Sequence, residues 1–199
     1  MKLKELLCGV EVLETTASED LDIAGVAYDS RKVTAGGLFV AVSGFQTDGT
    51  RFIPMALEKG AAAVVTAKKP EGDVPYILVP SDRLALALIG ANYYGHPAEQ
   101  MTMIGVTGTN GKTSVTLLLK QVLEKTLGAK VGLIGTVENC IGDEILPTER
   151  TTPESFELQG LFRQMLDAGC THVVMEVSSH SIALDRVGGI HFQAAAFTN

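Results

Sequence analysis

The sequence predicts an α/β protein: a small α/β domain, then a second domain with a phosphate loop on a parallel sheet. Three observations carry this. Short apolar runs of strand length alternate along the chain with amphipathic runs of helix length, the pattern of strands joined by helical crossovers. At residues 103–114 an apolar run passes directly into a glycine-bearing turn, a Lys-Thr pair and a helical pattern. The 199 residues are 46% hydrophobic and 20% charged, which suits packed cores and argues against disorder.

In the first half, residues 2–7 predict a short helix, and 23–28 a strand weakened by Gly25. Residues 38–42 are a stronger strand, rich in branched and aromatic side chains. Polar, turn-rich stretches follow both strands, at 29–37 and 43–50; loops at strand ends can wall a ligand pocket, but from the residues alone two ordinary turns are the plainer reading. Residues 51–59 read as a helix stopped by Gly60, and 61–66 and 75–79 as buried strands. Ser81 or Asp82 caps a helix to residue 94, with Leu84, Leu88 and Ala91 expected on its core face. His96-Pro97-Ala98-Glu99-Gln100 reads as a linker, which sets expected domains at 1–97 and 98–199.

In the second half, 103–106 is a buried strand and 113–127 a helix ending at Gly128. Val115, Leu118, Leu119, Val122 and Leu123 are its expected core face. Residues 130–135 are a further strand, and 137–145 a hairpin about Gly142-Asp143. Thr152 before Pro153 predicts a helix N-terminus, with the helix running to about residue 168. Residues 171–177 and 191–197 are the last strands. With about 100 residues after the linker, the second domain reads as incomplete at its C-terminal end.

Composition excludes several function classes. Sixteen basic against 23 acidic residues give a net charge of −7, which argues against a nucleic-acid partner. Cys8, Cys140 and Cys170 are odd in number and widely spaced, so neither a disulfide framework nor a metal cluster is expected, and a reducing cytoplasm fits. No apolar run approaches the length of a membrane span, and the N-terminus lacks the apolar core of a signal peptide.

The chemistry concentrates around residues 105–114. Unsatisfied amides at a helix start, glycines that admit phosphate oxygens, a lysine for the β/γ phosphates and a threonine for Mg²⁺ make a nucleotide site. The usual spacing would put a glycine at position 106, where Val106 stands. Glu176, at the carboxyl end of its strand, is placed to reach Mg²⁺. Ser178-Ser179-His180 invites a hydrolase reading, but no nucleophile elbow surrounds it.

Thr107-Gly108-Thr109-Asn110-Gly111-Lys112-Thr113 resembles the ATP loop of the Mur ligases and folylpolyglutamate synthetases, which share this variant spacing. Asp29-Ser30-Arg31, Leu38-Phe39-Val40-Ala41, Asp48-Gly49, Thr151-Thr152-Pro153-Glu154-Ser155 and Glu176-Val177-Ser178-Ser179-His180 narrow the resemblance to the Mur ligases that extend a muramoyl dipeptide by a diamino acid. The resemblance implies a cytoplasmic, monomeric ligase of cell-wall precursor synthesis acting through an acyl phosphate. Its expected partners are UDP-N-acetylmuramoyl-L-alanyl-D-glutamate, ATP and a diamino acid, meso-diaminopimelate before L-lysine. By the matching motifs, Tyr28, Ser30, Phe45, Gln46 and Thr47 would meet the uridine diphosphate end. Gly108, Thr109, Asn110, Gly111, Lys112, Thr113 and Ser114 would hold ATP, and Thr113 and Glu176 the Mg²⁺. Thr151, Thr152, Ser178 and Arg186 would hold the muramoyl dipeptide, with Lys112 and Glu176 the catalytic pair. The family's third domain, its carboxylated lysine and a later histidine have no counterpart here, so the chain alone is expected not to ligate. The alternatives are another Mur ligase, a folylpolyglutamate synthetase, or a nucleotide-binding module without chemistry of its own.

Overall fold

Strands and helices alternate in the computed structural model, which describes residues 1–44, 48–148 and 150–199. The chain folds as two compact units, Met1–Tyr93 and Tyr94–Asn199, each with a mostly parallel sheet.

The first unit runs α1 (Leu3–Leu6), β1 (Glu14–Thr15), β2 (Val26–Ala27), β3 (Leu38–Val40), α2 (Ile53–Glu58), β4 (Ala63–Thr66), β5 (Tyr76–Leu78) and α3 (Asp82–Tyr94). Its sheet has the order β1-β5-β4-β3-β2, parallel except for the antiparallel edge pair β1–β5. Leu38–Val40 and Ala63–Thr66 are buried at every residue, as central strands of a covered parallel sheet must be. The strand expected over 23–28 is reduced to two residues, though single bonds from Leu38 N to Gly25 O and from Ala24 N to Gly36 O continue the approach. Of the face expected of α3, Ala91 is buried, with Ala85, Leu86 and Ile89 beside it, whereas Leu84 is exposed, a correction to that face.

Period-two alternation decides the second unit. Its elements are β6 (Thr102–Gly108), α4 (Lys112–Leu127), β7 (Val131–Ile134), β8 (Asn139–Ile141), β9 (Glu144–Leu146), α5 (Ser155–Asp167), β10 (His172–Glu176), α6 (Ser179–Ala183) and β11 (Ala194–Thr198). The sheet order is β11-β6-β10-β7-β8-β9, parallel through β7, with the β8–β9 hairpin antiparallel. Val106, Val131, Leu133 and Val174 point to one face, where Val115, Leu119 and Leu123 of α4 cover them. Met103, Ile134, Val173 and Met175 point to the other, against Leu158, Phe162 and Met165 of α5. β6, β7 and β10 are thus apolar on both faces, which is why the sequence shows continuous runs there.

Three expectations in this unit are corrected. Leu118 and Val122 are 60% and 53% exposed, whereas Val115, Leu117, Leu119 and Leu123 pack on the sheet and Thr116 is buried. Helix α5 begins at Ser155 with Glu154 as its N-cap, so Thr152 and Pro153 stand outside it. The Thr152 hydroxyl instead donates to the Glu176 carbonyl at 2.9 Å. The last strand begins at Ala194 and not at 191, because the Gln193 side chain takes a ladder position, accepting from Met103 N at 2.6 Å. Among the described residues no helix is long and apolar enough to cross a membrane.

Two predictions follow from local chemistry. Burial pushes the Cys140 thiol up to about 11 and raises Cys170, whereas Cys8 is exposed. A disulfide reagent at pH 8 is expected to titrate one thiol rapidly in the folded chain and three after denaturation; rapid reaction of all three in the folded chain would contradict this burial. The Arg31 guanidinium beside Asp29 holds that carboxyl down at about 2. A depressed carboxyl stabilises fully above its unfolded value of about 4, and that contribution is lost as pH falls toward 2. Asp29→Asn is expected to flatten the curve of urea midpoint against pH in that window, and parallel curves for the two proteins would refute the assignment.

Candidate active site

The carboxyl ends of parallel strands are where an open α/β sheet leaves backbone amides and side chains free for ligands. In the second unit four segments meet there: the loop after β6, the turn after β7, residues 151–154 ahead of α5, and the end of β10.

The loop after β6 turns at Gly108, whose φ is 135°, and a Cβ at that position would collide with the Thr198 carbonyl of the neighbouring edge strand β11. Only glycine lets the chain turn there beneath that strand. Helix α4 starts on Gly111 without a capping side chain among the described residues, and its first intrahelical bond runs from Val115 N to Gly111 O. The amides of Lys112, Thr113 and Ser114 therefore precede the helical ladder, at the positive end of a 16-residue helix. Lys112 folds back over the loop, its Nζ donating to Gly108 O at 2.7 Å and Thr109 O at 3.3 Å. Thr109 and Asn110 are exposed.

Glu176 ends β10 and is 1% exposed. Its Oε1 accepts from the Thr113 hydroxyl at 2.9 Å and from Thr136 N at 2.9 Å, and its Oε2 accepts from the Thr136 hydroxyl at 3.0 Å. A Cβ on Gly135 would lie 2.8 Å from Oε1, so the turn after β7 requires glycine for the carboxylate to be where it is. Asn139 Oδ1 holds that turn by accepting from Gly135 N at 3.2 Å.

Thr151 and Thr152 approach from the other side. Thr151 Oγ1 is 3.0 Å from Thr136 Oγ1. Thr152 is 1% exposed; besides donating to the Glu176 carbonyl it accepts from Ser178 N at 3.4 Å. Arg186 donates from Nη1 to Thr152 O at 3.0 Å, and its Nε lies 2.6 Å from Glu154 Oε1. That second N–H is not aimed along the line between the atoms, so the contact is an ion pair more than a hydrogen bond. Glu154 also pairs with Arg150 at 3.3 Å. Ser178 caps α6, accepting from Ser181 N at 3.1 Å, a structural use of that hydroxyl.

The structure thus connects Thr113, Glu176, Thr151, Thr152, Ser178 and Arg186 in one hydrogen-bonded set through Thr136, with Lys112 next to Thr113 but bonded to the loop carbonyls instead. Sequence reasoning missed Thr136, Gly135 and Glu154. The strand-end rule that selected Glu176 would have found Thr136 too, since β7 and β10 are neighbouring parallel strands with Ile134 opposite Met175.

In the first unit, Tyr28 and Ser30 follow β2, with Ser30 buried and its hydroxyl 3.3 Å from Met55 Sδ. Phe45, Gln46 and Thr47 lie outside the described residues. The described residues on either side, Ser43 and Asp48, are held firmly. Ser43 donates from N and Oγ to Asp82 Oδ2 at 3.1 and 2.7 Å, and accepts at its carbonyl from Arg83 at 2.8 Å. Asp48 accepts from Thr50 and Lys68, and the Lys68 ammonium holds its carboxyl down at about 2.

Thr113 and Glu176, beside the loop after β6, fit a magnesium ion better than a softer metal. A hydroxyl and a carboxylate converge, both hard oxygen donors, and among the described residues no three His, Cys, Asp or Glu side chains form a cluster. Two protein oxygens with phosphate and water completing the shell is the ordinary arrangement for Mg²⁺.

Residues 106–199 match the Mur ligase middle domain, and residues 22–94 match the catalytic domain of the Mur ligase family. The chain is 49% identical over its whole length to the UDP-N-acetylmuramoyl-L-alanyl-D-glutamate–2,6-diaminopimelate ligase of Caldanaerobacter subterraneus subsp. tengcongensis, and covers 41% of it. A solved structure of a ligase of the same name superposes on all of the chain with a TM-score of 0.79 at 25% identity, the chain covering 40% of it. The MurF ligase of Thermotoga maritima, solved in complex with ADP, matches 81% of the chain at 26% identity and a TM-score of 0.50, the chain covering 34% of it. The chain therefore spans about two-fifths of the relatives it matches. The two matched segments follow one another in order and leave only residues 1–21 and 95–105 outside, and the chain belongs to the Mur ligase family.

Proposed function

We propose that this chain carries the nucleotide-binding and acceptor-binding parts of a cytoplasmic, ATP-dependent ligase that adds meso-diaminopimelate to UDP-N-acetylmuramoyl-L-alanyl-D-glutamate. The observation that carries the reading is the Thr113–Glu176 pair at 2.9 Å, beside the uncapped start of α4. The names of the relatives that match the whole chain support the substrate, and the ADP complex of the MurF ligase supports the nucleotide.

In this reading residues 1–97 take the uridine diphosphate end, through Tyr28, Ser30, Phe45, Gln46 and Thr47. Residues 98–199 take ATP and the dipeptide. The α4 amides and Lys112 hold the triphosphate, Lys112 leaving its two carbonyl partners to do so. Thr113 and Glu176 would hold Mg²⁺, which supplies charge neutralisation at the transferring phosphate. Arg186, kept in place by Glu154 and the Thr152 carbonyl, faces the acceptor carboxylate. The acceptor's carboxylate attacks the γ-phosphorus of ATP and ADP leaves with the bridging oxygen, giving an acyl phosphate; the amine of the diamino acid then attacks the acyl carbon, loses a proton and expels inorganic phosphate as the amide forms. The protein's part is positioning and charge stabilisation.

Separate calorimetric titrations of the 199-residue chain with ATP plus Mg²⁺ and with UDP-N-acetylmuramoyl-L-alanyl-D-glutamate test the reading. Binding of both is expected, while ATP binding without affinity for the UDP compound would favour a bare nucleotide module. Lys112→Met keeps the helix and the amides, and is expected to weaken ATP binding tenfold or more, about 1.4 kcal/mol, with the UDP compound unaffected. Arg186→Ala is expected to do the reverse, and unchanged affinity for the UDP compound would remove Arg186 from the acceptor site.

A further inference from the structure

We propose that Thr136 is the positioning residue that aims the Glu176 carboxylate at the metal–nucleotide site. The proposal deepens the reading given above and rests on it. Thr136 reaches both oxygens of Glu176, its amide donating to Oε1 at 2.9 Å and its hydroxyl lying 3.0 Å from Oε2. The terminal torsion of a glutamate is soft and broad, so a single contact leaves the carboxylate plane free to turn. Two contacts from one residue, one to each oxygen, fix that plane. Thr113, by contrast, touches Oε1 alone.

Proton accounting strengthens the grip. The Thr136 hydroxyl lies 3.0 Å from Glu176 Oε2 and 3.0 Å from Thr151 Oγ1, and it has one proton to give. A carboxylate offers only lone pairs, so that proton goes to Glu176. Thr151 is then the donor to Thr136. The relay Thr151 to Thr136 to Glu176 occupies the Thr136 oxygen on both sides and leaves it one rotamer. The backbone beneath is held too, with Gly135 N tied to Asn139 Oδ1 at 3.2 Å, and a Cβ at position 135 would push the Glu176 carboxylate out of its place.

The test is calorimetry of ATP binding to the 199-residue chain, with Mg²⁺ and with the metal chelated. Thr136→Val keeps the shape and the amide donor but removes the hydroxyl. Metal-free ATP affinity is expected to stay within about twofold of wild type, while the gain on adding Mg²⁺ falls tenfold or more. Thr136→Ser is expected to recover most of that gain. A purely structural part for Thr136 would lower both affinities together along with the Tm, and that result overturns the proposal. So does a Mg²⁺ gain in Thr136→Val equal to wild type. Should the valine variant fail to fold, Thr136→Ala gives the same comparison, and failure of both to fold assigns a structural part and also overturns it. A wild-type chain that gains nothing from Mg²⁺ overturns the underlying site reading and this proposal together, and is distinguishable from failure at Thr136 alone.

Discussion

Glu176 and Thr113 meet because β6 and β10 are adjacent parallel strands held in one register, with Val106 opposite Glu176. The loop after β6 and the carboxylate ending β10 leave the sheet at the same level, and the first turn of α4 brings the Thr113 hydroxyl back over that edge. A one-residue slip would send the carboxylate to the opposite face of the sheet, into apolar packing. The ladder is secured by the sorting of side chains to two faces, with Val174 packing under α4 and Val173 and Met175 under α5. The site is therefore a consequence of core packing, not an addition to it.

The buried carboxylate would be costly without donors, and each of its oxygens has one. The threonine hydroxyls and the Thr136 amide supply them, and the Thr152 hydroxyl satisfies the carbonyl of the same residue. This explains why threonines crowd the site. A β-branched hydroxyl residue has few rotamers and can both give and accept, so it holds a polar group in place with little loss of order. Arg186 and Glu154 solve the same problem by pairing, at 16% and 11% side-chain exposure.

Much of this was legible in the sequence. The alternation of apolar runs pointed to both sheets, and Gly111-Lys112-Thr113 does stand between a strand and a helix, despite Val106 at the usual glycine position. Less legible were features set by tertiary contacts. Leu118 and Val122 fit the helical stripe as well as Leu119 and Leu123 do, and only the packing against the sheet shows that the second pair is covered and the first exposed. Thr152-Pro153 has the chemistry of a helix start, yet a carbonyl on another strand captured the hydroxyl first. Thr136 carried no motif and is marked only by its place at the end of a strand whose neighbour is not adjacent in sequence.

The central claim is that Glu176 and Thr113 form the metal-facing edge of a nucleotide site. The most direct measurement is the Mg²⁺ dependence of ATP affinity in Glu176→Gln, which preserves size while removing the charge. The account predicts that the variant binds metal-free ATP as wild type does and loses nearly all of the gain from Mg²⁺; an undiminished gain would contradict it.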